Sequence, residues 1–277
     1  MGERVRKLLS LGYSGLLRWL WLLRNYRRLQ DDLRRDHGVS KVRPILAQRW
    51  HRGSKYFRGE AADGTPLFIK LDGDSRLLEN EVNAWAHLDR TAAGSNHFPK
   101  MRFFNFMGQY RVAAMEWLDG ETLRGFLMKN PPVEQIRCLM RELAAILGEL
   151  SRAGMVHRDF TPDNLMVSAR PSNDFVSLVL IDFAFASISG AAPQDRLVPL
   201  IDLRDLCDGY KAEEYQWDDA YSCLKIFEEI AESFSVEDQA AQAEVTNRIG
   251  DLTFSFDILA AERERVWCFA TRPTPNA

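Results

Sequence analysis

One polar octapeptide constrains the fold of this 277-residue chain more than any other feature. It reads HRDFTPDN, from His157 to Asn164, and it lies between an apolar helical stretch and two short apolar strands. The second strand closes on Asp182, 18 residues after Asn164. We therefore expect Asp159, Asn164 and Asp182 to lie in a connecting loop and at a strand end, where polar side chains carry chemistry more often than packing.

The region before this loop is predicted to be rich in β-strands. Apolar patterning and turn residues predict three strands, over 44–50, 55–61 and 66–72. Asp63 and Gly64 supply the tight turn between the last two strands. A helix is predicted over 75–88, followed by a hairpin around Gly108. The apolar face of that helix carries Leu78, Val82, Trp85 and Leu88.

Beyond residue 118 the chain is predicted to be mainly helical. A long helix opens at Pro131 and Pro132 and presents apolar residues at helical spacing. These are Ile136, Leu139, Met140, Leu143, Ile146, Leu147 and Leu150. Short strands follow over 165–167 and 177–182, and residues 197–270 are again predicted to be mostly helical. The pattern indicates an α+β fold, with a small β-rich lobe containing one helix and a larger helical lobe.

Composition and charge narrow the class of protein. With 46% apolar and 27% charged residues, the chain is typical of a soluble globular protein. Its four cysteines form no C-x-x-C pair, which argues against a zinc ribbon or a disulfide framework. Residues 1–30 carry seven basic side chains and one acidic one, whereas the other 247 residues carry 29 basic and 38 acidic side chains. This acidic body argues against nucleic-acid binding.

The basic N-terminal segment is predicted to be an amphipathic helix over residues 1–36. Its longest uncharged run, 8–17, is too short to span a membrane, and no cleavage site follows it. Leucines together with Trp19 and Trp21 beside arginines are typical of a helix lying in a membrane interface. We expect residues 1–30 to contact an anionic membrane surface. The alternative is a helix packed on the body of the protein or on a partner.

The polar residues match the needs of phosphoryl transfer. That reaction uses a carboxylate near the acceptor hydroxyl, together with oxygen ligands that hold Mg²⁺ against the phosphates. Asp159, Asn164 and Asp182 supply such groups. The loop and the later Asp182-Phe183 resemble the catalytic loop and the metal-binding D-F-G segment of the protein kinase-like superfamily. The resemblance implies a bilobal fold, with Asp159 as catalytic residue and Asn164 and Asp182 as ligands of magnesium.

The resemblance extends upstream and covers about residues 43–186. Leu67-Phe68-Ile69-Lys70 is similar to the strand whose lysine holds the ATP phosphates, which implies a catalytic and nucleotide-binding role for Lys70. Glu81 is similar to the glutamate that orients this lysine, with Glu79 as its rival. The segment Ala114–Gly120 is similar to the hinge, where backbone groups of Glu116 and Trp117 would bind adenine. We expect a first lobe over 40–117 and a second over 118–277.

The chain also departs from the superfamily pattern. The phosphate loop has a single glycine, Gly53, so that Ser54, Lys55 or Arg52 are candidates to replace backbone contacts to phosphate. Ala184 stands at the glycine of D-F-G, and no A-P-E sequence follows it. A peptide-docking segment is therefore doubtful. Asp202 and Asp205 are candidates to brace the catalytic loop.

These features lead to one main hypothesis and two alternatives. With no A-P-E sequence and a basic N-terminal helix, the chain resembles the bacterial lipopolysaccharide-core sugar kinases most. This implies an Mg-ATP-dependent kinase that phosphorylates a sugar hydroxyl of a glycolipid, in the cytoplasm and peripheral on the inner face of the membrane. The first alternative is an atypical Ser/Thr protein kinase, because Thr161 also occurs in small kinases of that kind. The second alternative is a membrane-docked nucleotide-binding scaffold.

Overall fold

The structure is a computed structural model that describes residues 3–45, 54–73, 77–108, 110–169, 176–188, 211–213 and 216–232. It confirms the α+β class and the N-terminal helix. The chain divides into two compact units. The first unit comprises Met1–Leu78 and Lys100–Trp117, and the second comprises Glu79–Pro99 and Leu118–Ala277. The division passes through one helix, α2 (Leu77–Thr91).

An antiparallel five-stranded sheet forms the first unit, in the order β1-β2-β3-β5-β4. Its strands are β1 (Ser40–Pro44), β2 (Lys55–Glu60), β3 (Pro66–Asp72), β4 (Met101–Met107) and β5 (Tyr110–Glu116). The predicted turn at Asp63-Gly64 and the hairpin at Gly108 are confirmed, and both glycines adopt a positive φ. Strand β1 was not predicted, and the strand predicted over 44–50 is not tested, because residues 46–50 lie outside the described ranges.

Helix α1 (Glu3–His37) packs against one face of this sheet. Leu22, Leu29 and Leu33 are buried in a core cluster with Phe57, Ile69 and other residues of the sheet. The Tyr26 hydroxyl also donates a hydrogen bond to the carbonyl oxygen of Val42 in β1. The alternative of a helix packed on the protein's own body is thus confirmed for residues 22–33. In the described part of the chain, no helix is long and apolar enough to cross a membrane.

Side-chain alternation in β3 separates two faces of the sheet. Leu67, Ile69 and Leu71 belong to the cluster under α1. Because successive side chains of a strand point to opposite faces, Phe68 and Lys70 lie on the other face. The pairs Tyr56–Lys70 and Lys55–Leu71 between β2 and β3 place Tyr56 on the Lys70 face and Lys55 on the α1 face.

The second unit contains most of α2 and the remaining elements. Its helices are α3 (Leu123–Leu127), α4 (Val133–Arg152) and α5 (Asp219–Glu232). Its short strands are β6 (Glu121–Thr122), β7 (Met155–Val156), β8 (Leu165–Ala169), β9 (Val176–Leu180), β10 (Ser187–Ile188), β11 (Lys211–Glu213) and β12 (Gln216–Trp217). They pair as β6-β8-β9, β10-β7 and β11-β12. Most of the predicted helical region 197–270 lies outside the described residues.

Helical periodicity predicted the core of this unit correctly. All seven apolar positions predicted for α4 are buried, and so are the four predicted for α2. Helix α4 packs against β9, which follows the polar octapeptide. Gly154, with φ 61°, lets the chain turn from α4 into β7 and the loop that begins at His157. The core of the second unit therefore fixes both ends of this loop.

Candidate active site

His157 organises the start of the polar loop. Its Nε2 lies 3.0 Å from the carbonyl oxygen of Ile181, and its Nδ1 accepts the main-chain N–H of Asp159 at 3.2 Å. An acceptor at Nδ1 and a carbonyl facing Nε2 require the neutral tautomer with hydrogen on Nε2. Burial lowers the pKa of His157 to about 4, against the opposing effect of Asp182. Both ring nitrogens of His157 are therefore engaged in orienting the loop.

Asp159 and Asn164 are brought together within the same loop. Asn164 Nδ2 donates to the carbonyl oxygen of Asp159 at 2.8 Å and to its carboxylate Oδ2 at 2.7 Å. Asp159 is buried, so this amide fixes the orientation of a carboxylate that is largely withdrawn from water. The Asn164 N–H in turn donates to the Thr161 carbonyl oxygen at 3.0 Å, which closes the turn between the two residues.

Strand pairing places Asp182 beside this pair. Leu165 of β8 lies opposite Leu180 of β9, and the Ile181 N–H donates to the Asn164 carbonyl oxygen at 2.9 Å. Asp182 follows directly, in a left-handed conformation with φ 63° and ψ 68°. Such a backbone costs of the order of 1 kcal/mol or more outside glycine, and residues held this way cluster at functional sites.

The residues after Asp182 hold it in this conformation. Phe183 is fully buried, with its ring centroid 4.7 Å from that of His157 and 5.8 Å from that of Phe98. Asn80 of α2 donates through Nδ2 to the carbonyl oxygens of Ala184 at 2.9 Å and Ala186 at 3.0 Å. Residues 183–186 are thus anchored on both sides of Ala184. This alanine stands where the D-F-G pattern has glycine.

The donor chemistry of Asn164 and Asp182 fits magnesium. Both hydrogen bonds of the Asn164 amide use its nitrogen, which leaves the oxygen Oδ1 for a ligand. Asp182 supplies a half-buried carboxylate. Within the described ranges, no group of three or more His, Cys, Asp and Glu side chains could hold a metal alone. Mg²⁺ does not need one, because it keeps several waters and takes one or two protein oxygens together with phosphates.

Asp219, at the start of α5, is a site residue that sequence reasoning missed. Its Oδ2 accepts the main-chain N–H of His157 at 2.6 Å, and its Oδ1 accepts that of Arg158 at 3.1 Å. Burial raises the pKa of Asp219 to about 7, against the two N–H donors. Asp202 and Asp205, the residues predicted for this bracing role, lie outside the described residues. The W-D-D sequence around Asp219 gave no local signal for it.

Lys70 and Glu81 belong to different units, and each is almost fully buried. Lys70 of β3 is 5% exposed, on the sheet face opposite α1. Glu81 of α2 is 1% exposed, whereas its rival Glu79 is half-buried. Burial of a charged group costs several kcal/mol unless it is compensated, so two such positions point to a specific role. Burial therefore favours Glu81 over Glu79.

The main-chain N–H groups of the two predicted hinge residues are both engaged in hydrogen bonds. The Glu116 N–H donates to the Lys100 carbonyl oxygen at 3.1 Å, and the Trp117 N–H donates to that of Pro66 at 2.9 Å. The N–H groups of both residues thus form hydrogen bonds within the first unit, and adenine binding by Glu116 and Trp117 stays a prediction. The Trp117 ring instead packs on Phe68 and under the guanidinium group of Arg58, 4.4 Å away.

The phosphate-loop prediction is only partly described. Gly53 and Arg52 lie outside the described residues. Ser54 is described and buried. Lys55 cannot replace a phosphate contact near Lys70, because its Nζ lies 4.9 Å from the Trp21 ring on the α1 face of the sheet. That candidate was wrong, since strand alternation sends Lys55 and Lys70 to opposite faces.

Comparison with known proteins finds similarity to several proteins named as protein kinases. No protein-family model matches the chain. It is 27% identical over 164 residues to the serine/threonine-protein kinase cek1 of Schizosaccharomyces pombe, covering 55% of this chain and 12% of cek1. It is 24% identical over 157 residues to the KEOPS complex subunit Bud32 of Pyrococcus abyssi, covering 56% of this chain and 62% of Bud32. Over 81 residues it is 37% identical to the serine/threonine-protein kinase PknD of Mycobacterium tuberculosis, covering 28% of this chain and 11% of PknD.

The chain is thus similar, over part of its length, to proteins named as protein kinases. The chain spans less than two thirds of the length of each of the three relatives. None of the three is named as a sugar or glycolipid kinase, so the comparisons do not support the lipopolysaccharide-core group.

Proposed function

We propose that this chain transfers the γ-phosphate of ATP to an alcohol in the presence of Mg²⁺. The observation that carries the proposal is the double hydrogen bond from Asn164 to Asp159, which fixes a buried carboxylate beside an amide oxygen and Asp182. This arrangement matches the two needs of phosphoryl transfer, a carboxylate for the acceptor hydroxyl and oxygen ligands for a metal. Kinase relatives support the same reaction class.

Each residue then has a defined task. Asp159 accepts or orients the proton of the acceptor hydroxyl. Asn164 Oδ1 and the Asp182 carboxylate would hold Mg²⁺, which neutralises phosphate charge when bound. Lys70 would bind the phosphates of ATP, with Glu81 as the acidic residue that orients it. Asp219 and His157 position the loop through their hydrogen bonds to its backbone.

The acceptor class that we propose first is a serine or threonine of a protein. The similarity to the KEOPS complex subunit Bud32 covers over half of both chains. Thr161 lies two residues after Asp159, as in small atypical kinases, and is buried in the loop. A protein acceptor predicts labelled phosphoserine or phosphothreonine, including autophosphorylation.

A glycolipid sugar is the second candidate acceptor, and one structural observation favours it. Three large apolar side chains of α1 face solvent: Trp19 is 57% exposed, Leu20 53% and Leu23 83%. Arginines flank them at 24, 27 and 28. This mixture is typical of a helix segment that docks on an anionic membrane surface, which would bring the chain to a lipid-anchored acceptor on the cytoplasmic side.

The test of function is γ-phosphate transfer from labelled ATP to a cell extract separated into proteins, glycolipids and small metabolites. Asp159→Ala should remove the label, while Asp163→Ala should keep it. Asp163 is a matched control because it lies in the same loop, is exposed, and among the described residues forms an ion pair with Arg124 alone, at 2.9 Å. Label in protein supports the Ser/Thr assignment, and label in glycolipid supports the sugar assignment.

Two results would contradict phosphotransfer. The first is equal labelling by the wild type and Asp159→Ala in every fraction. The second is ATP binding without any label, combined with an Asp159→Ala variant that keeps the cellular role. This second result would identify a nucleotide-binding scaffold instead.

Membrane docking needs its own test, because deletion of residues 1–30 would remove Leu22 and Leu29 from the core. We expect Trp19→Ser with Leu23→Ser to weaken co-sedimentation with anionic liposomes at least about tenfold, as two large apolar contacts are lost. Met128→Ser is the matched control, since Met128 is 80% exposed but lies near α3. Equal sedimentation of the wild type and both variants would refute membrane docking through Trp19 and Leu23.

A further inference from the structure

A groove of about 670 Å³ lies between α1 and the β4–β5 end of the sheet, within the first unit. Its volume is in the range of small-molecule sites. Eleven residues line it: Leu20, Trp21, Arg24, Asn25, Arg28, Leu29, Asp32, Leu71, Met107, Gly108 and Tyr110. None of the residues assigned to phosphotransfer is among them.

Helical spacing gives the groove a continuous basic edge. Leu20, Arg24 and Arg28 recur every four residues, so they lie on one stripe of α1. Arg27, between the two arginines in sequence, does not line the groove. Two guanidinium groups one helical turn apart can both bond the oxygens of one phosphate group.

The charge of the groove is positive despite Asp32. Its carboxylate accepts a hydrogen bond from Arg35 Nη2 at 2.9 Å, so its charge is compensated from outside the groove. Arg28 contributes only a long contact to Asp32, at 3.7 Å, and is 80% exposed. The Arg24 side chain makes no hydrogen bond or ion pair with any described residue. Both arginines therefore have donors available for an anion.

Apolar side chains contribute to the inner wall of the groove. Leu71 and Met107 form the sheet side, and Leu29 forms the helix side. Trp21 donates its indole N–H to the Tyr110 hydroxyl at 2.7 Å, which ties helix to sheet. The ammonium group of Lys55 lies against both of these rings, at 4.9 and 5.3 Å from their centroids. It adds positive charge behind the apolar wall.

The groove is separate from the candidate nucleotide residues. Leu71 and Lys55 lie on the α1 face of the sheet, whereas Lys70 lies on the opposite face. A ligand in the groove would not contact Lys70, so the groove is a second site.

We propose that this groove binds one amphiphilic anion, a lipid with a phosphate head group. The phosphate binds Arg24 and Arg28 at the edge, and the first part of an acyl chain lies against Leu20 and Met107, which keep accessible surface. The exposed Trp19 and Leu23 adjoin this edge in sequence. The proposal depends on neither the reaction nor the acceptor.

The test is calorimetric titration of the full chain with dihexanoyl phosphatidic acid below its micelle concentration. We expect saturable 1:1 binding and at least tenfold weaker binding by the Arg24→Gln/Arg28→Gln double variant. Arg27→Gln should bind like the wild type, because Arg27 does not line the groove. The arginines are exposed, so unfolding midpoints should match and show that all three proteins fold.

Two further probes separate head group from chain. Dihexanoyl phosphatidylcholine should bind at least tenfold more weakly, because its phosphate is masked by a cation. Inorganic phosphate should also bind at least tenfold more weakly; equal binding would replace the lipid assignment with free phosphate. Absence of phosphatidic acid binding, or equal loss in Arg27→Gln, would overturn the proposal.

Discussion

The carboxylate of Asp219 accepts the main-chain N–H groups of His157 and Arg158, at 2.6 Å and 3.1 Å. Two consecutive N–H groups of the polar loop are thus satisfied by one buried side chain from the start of α5, 62 and 61 residues later in the chain. A backbone held this way orients Asp159, the next residue, without touching its carboxylate.

Replacement of Asp219 should destabilise the protein more than most buried substitutions. Asp219→Ala leaves two buried N–H groups without an acceptor, at about 1–3 kcal/mol each. We expect a loss of about 2–5 kcal/mol in the free energy of unfolding, measured by urea titration. Glu228→Gln is the control, since it removes only a half-exposed contact to Lys225 and should change stability by less than about 0.5 kcal/mol. An Asp219→Ala midpoint like that of the wild type would contradict the bracing role.

Asp182 should tolerate asparagine structurally but not functionally. Asparagine adopts the left-handed conformation with φ 63° more readily than most residues, so the fold should persist. The amide of asparagine lacks the negative charge that binds a metal. Loss of several kcal/mol of transition-state stabilisation corresponds to at least about 10²-fold slower turnover. Phosphate transfer and circular dichroism should be measured on the same sample. Turnover near that of the wild type would remove Asp182 from the metal site.

Acid should destabilise the folded state through His157. The folded pKa of about 4 is below the ordinary value of 6.5, so the unfolded chain binds the proton more readily. Stability from this group is complete above pH 6.5 and is lost as pH falls from 6.5 to about 4, by at most about 1.4 kcal/mol per pH unit. The pKa of Asp219 is raised in the folded state to about 7, so this group stabilises the fold as pH falls from about 7 to 3.8 and opposes the effect of His157.

A variant isolates the histidine contribution. His157→Phe keeps a ring against Phe183 but does not titrate. The difference in unfolding free energy between wild type and variant should shrink as pH falls through this window, measured by urea titration at several pH values. A difference that stays constant from pH 7.5 to 4.5 would contradict a neutral, buried His157.

Helix α1 should contribute directly to stability. Leu29 is 5% exposed in the core cluster, so Leu29→Ala should cost about 2–5 kcal/mol. Leu23→Ala removes the same side chain from a position that is 83% exposed and should cost almost nothing. Thermal and urea unfolding of both variants would measure the contrast. Similar midpoints for the two would show that α1 is not part of the core.

Local sequence patterns determined a large part of this structure. Helical spacing predicted the buried faces of α2 and α4, and turn residues predicted the β2–β3 and β4–β5 hairpins. The octapeptide with Asp182 predicted a polar site, and strand pairing brings Asn164 next to Ile181 and Asp182. Such signals work because hydrogen-bond geometry repeats over a few residues, so the residue spacing alone carries them.

Tertiary structure alone decided three other features. Lys55 was a candidate for phosphate until the sheet placed it under α1 with Trp21. The sequence left open whether the N-terminal helix packs on the body of the protein, and the burial of Leu22, Leu29 and Leu33 in the core decided that point. Asp219 carries no local motif, because its partners are N–H groups about 60 residues away. Contacts between residues so distant in sequence depend on how the elements pack, and spacing along the chain does not encode that packing.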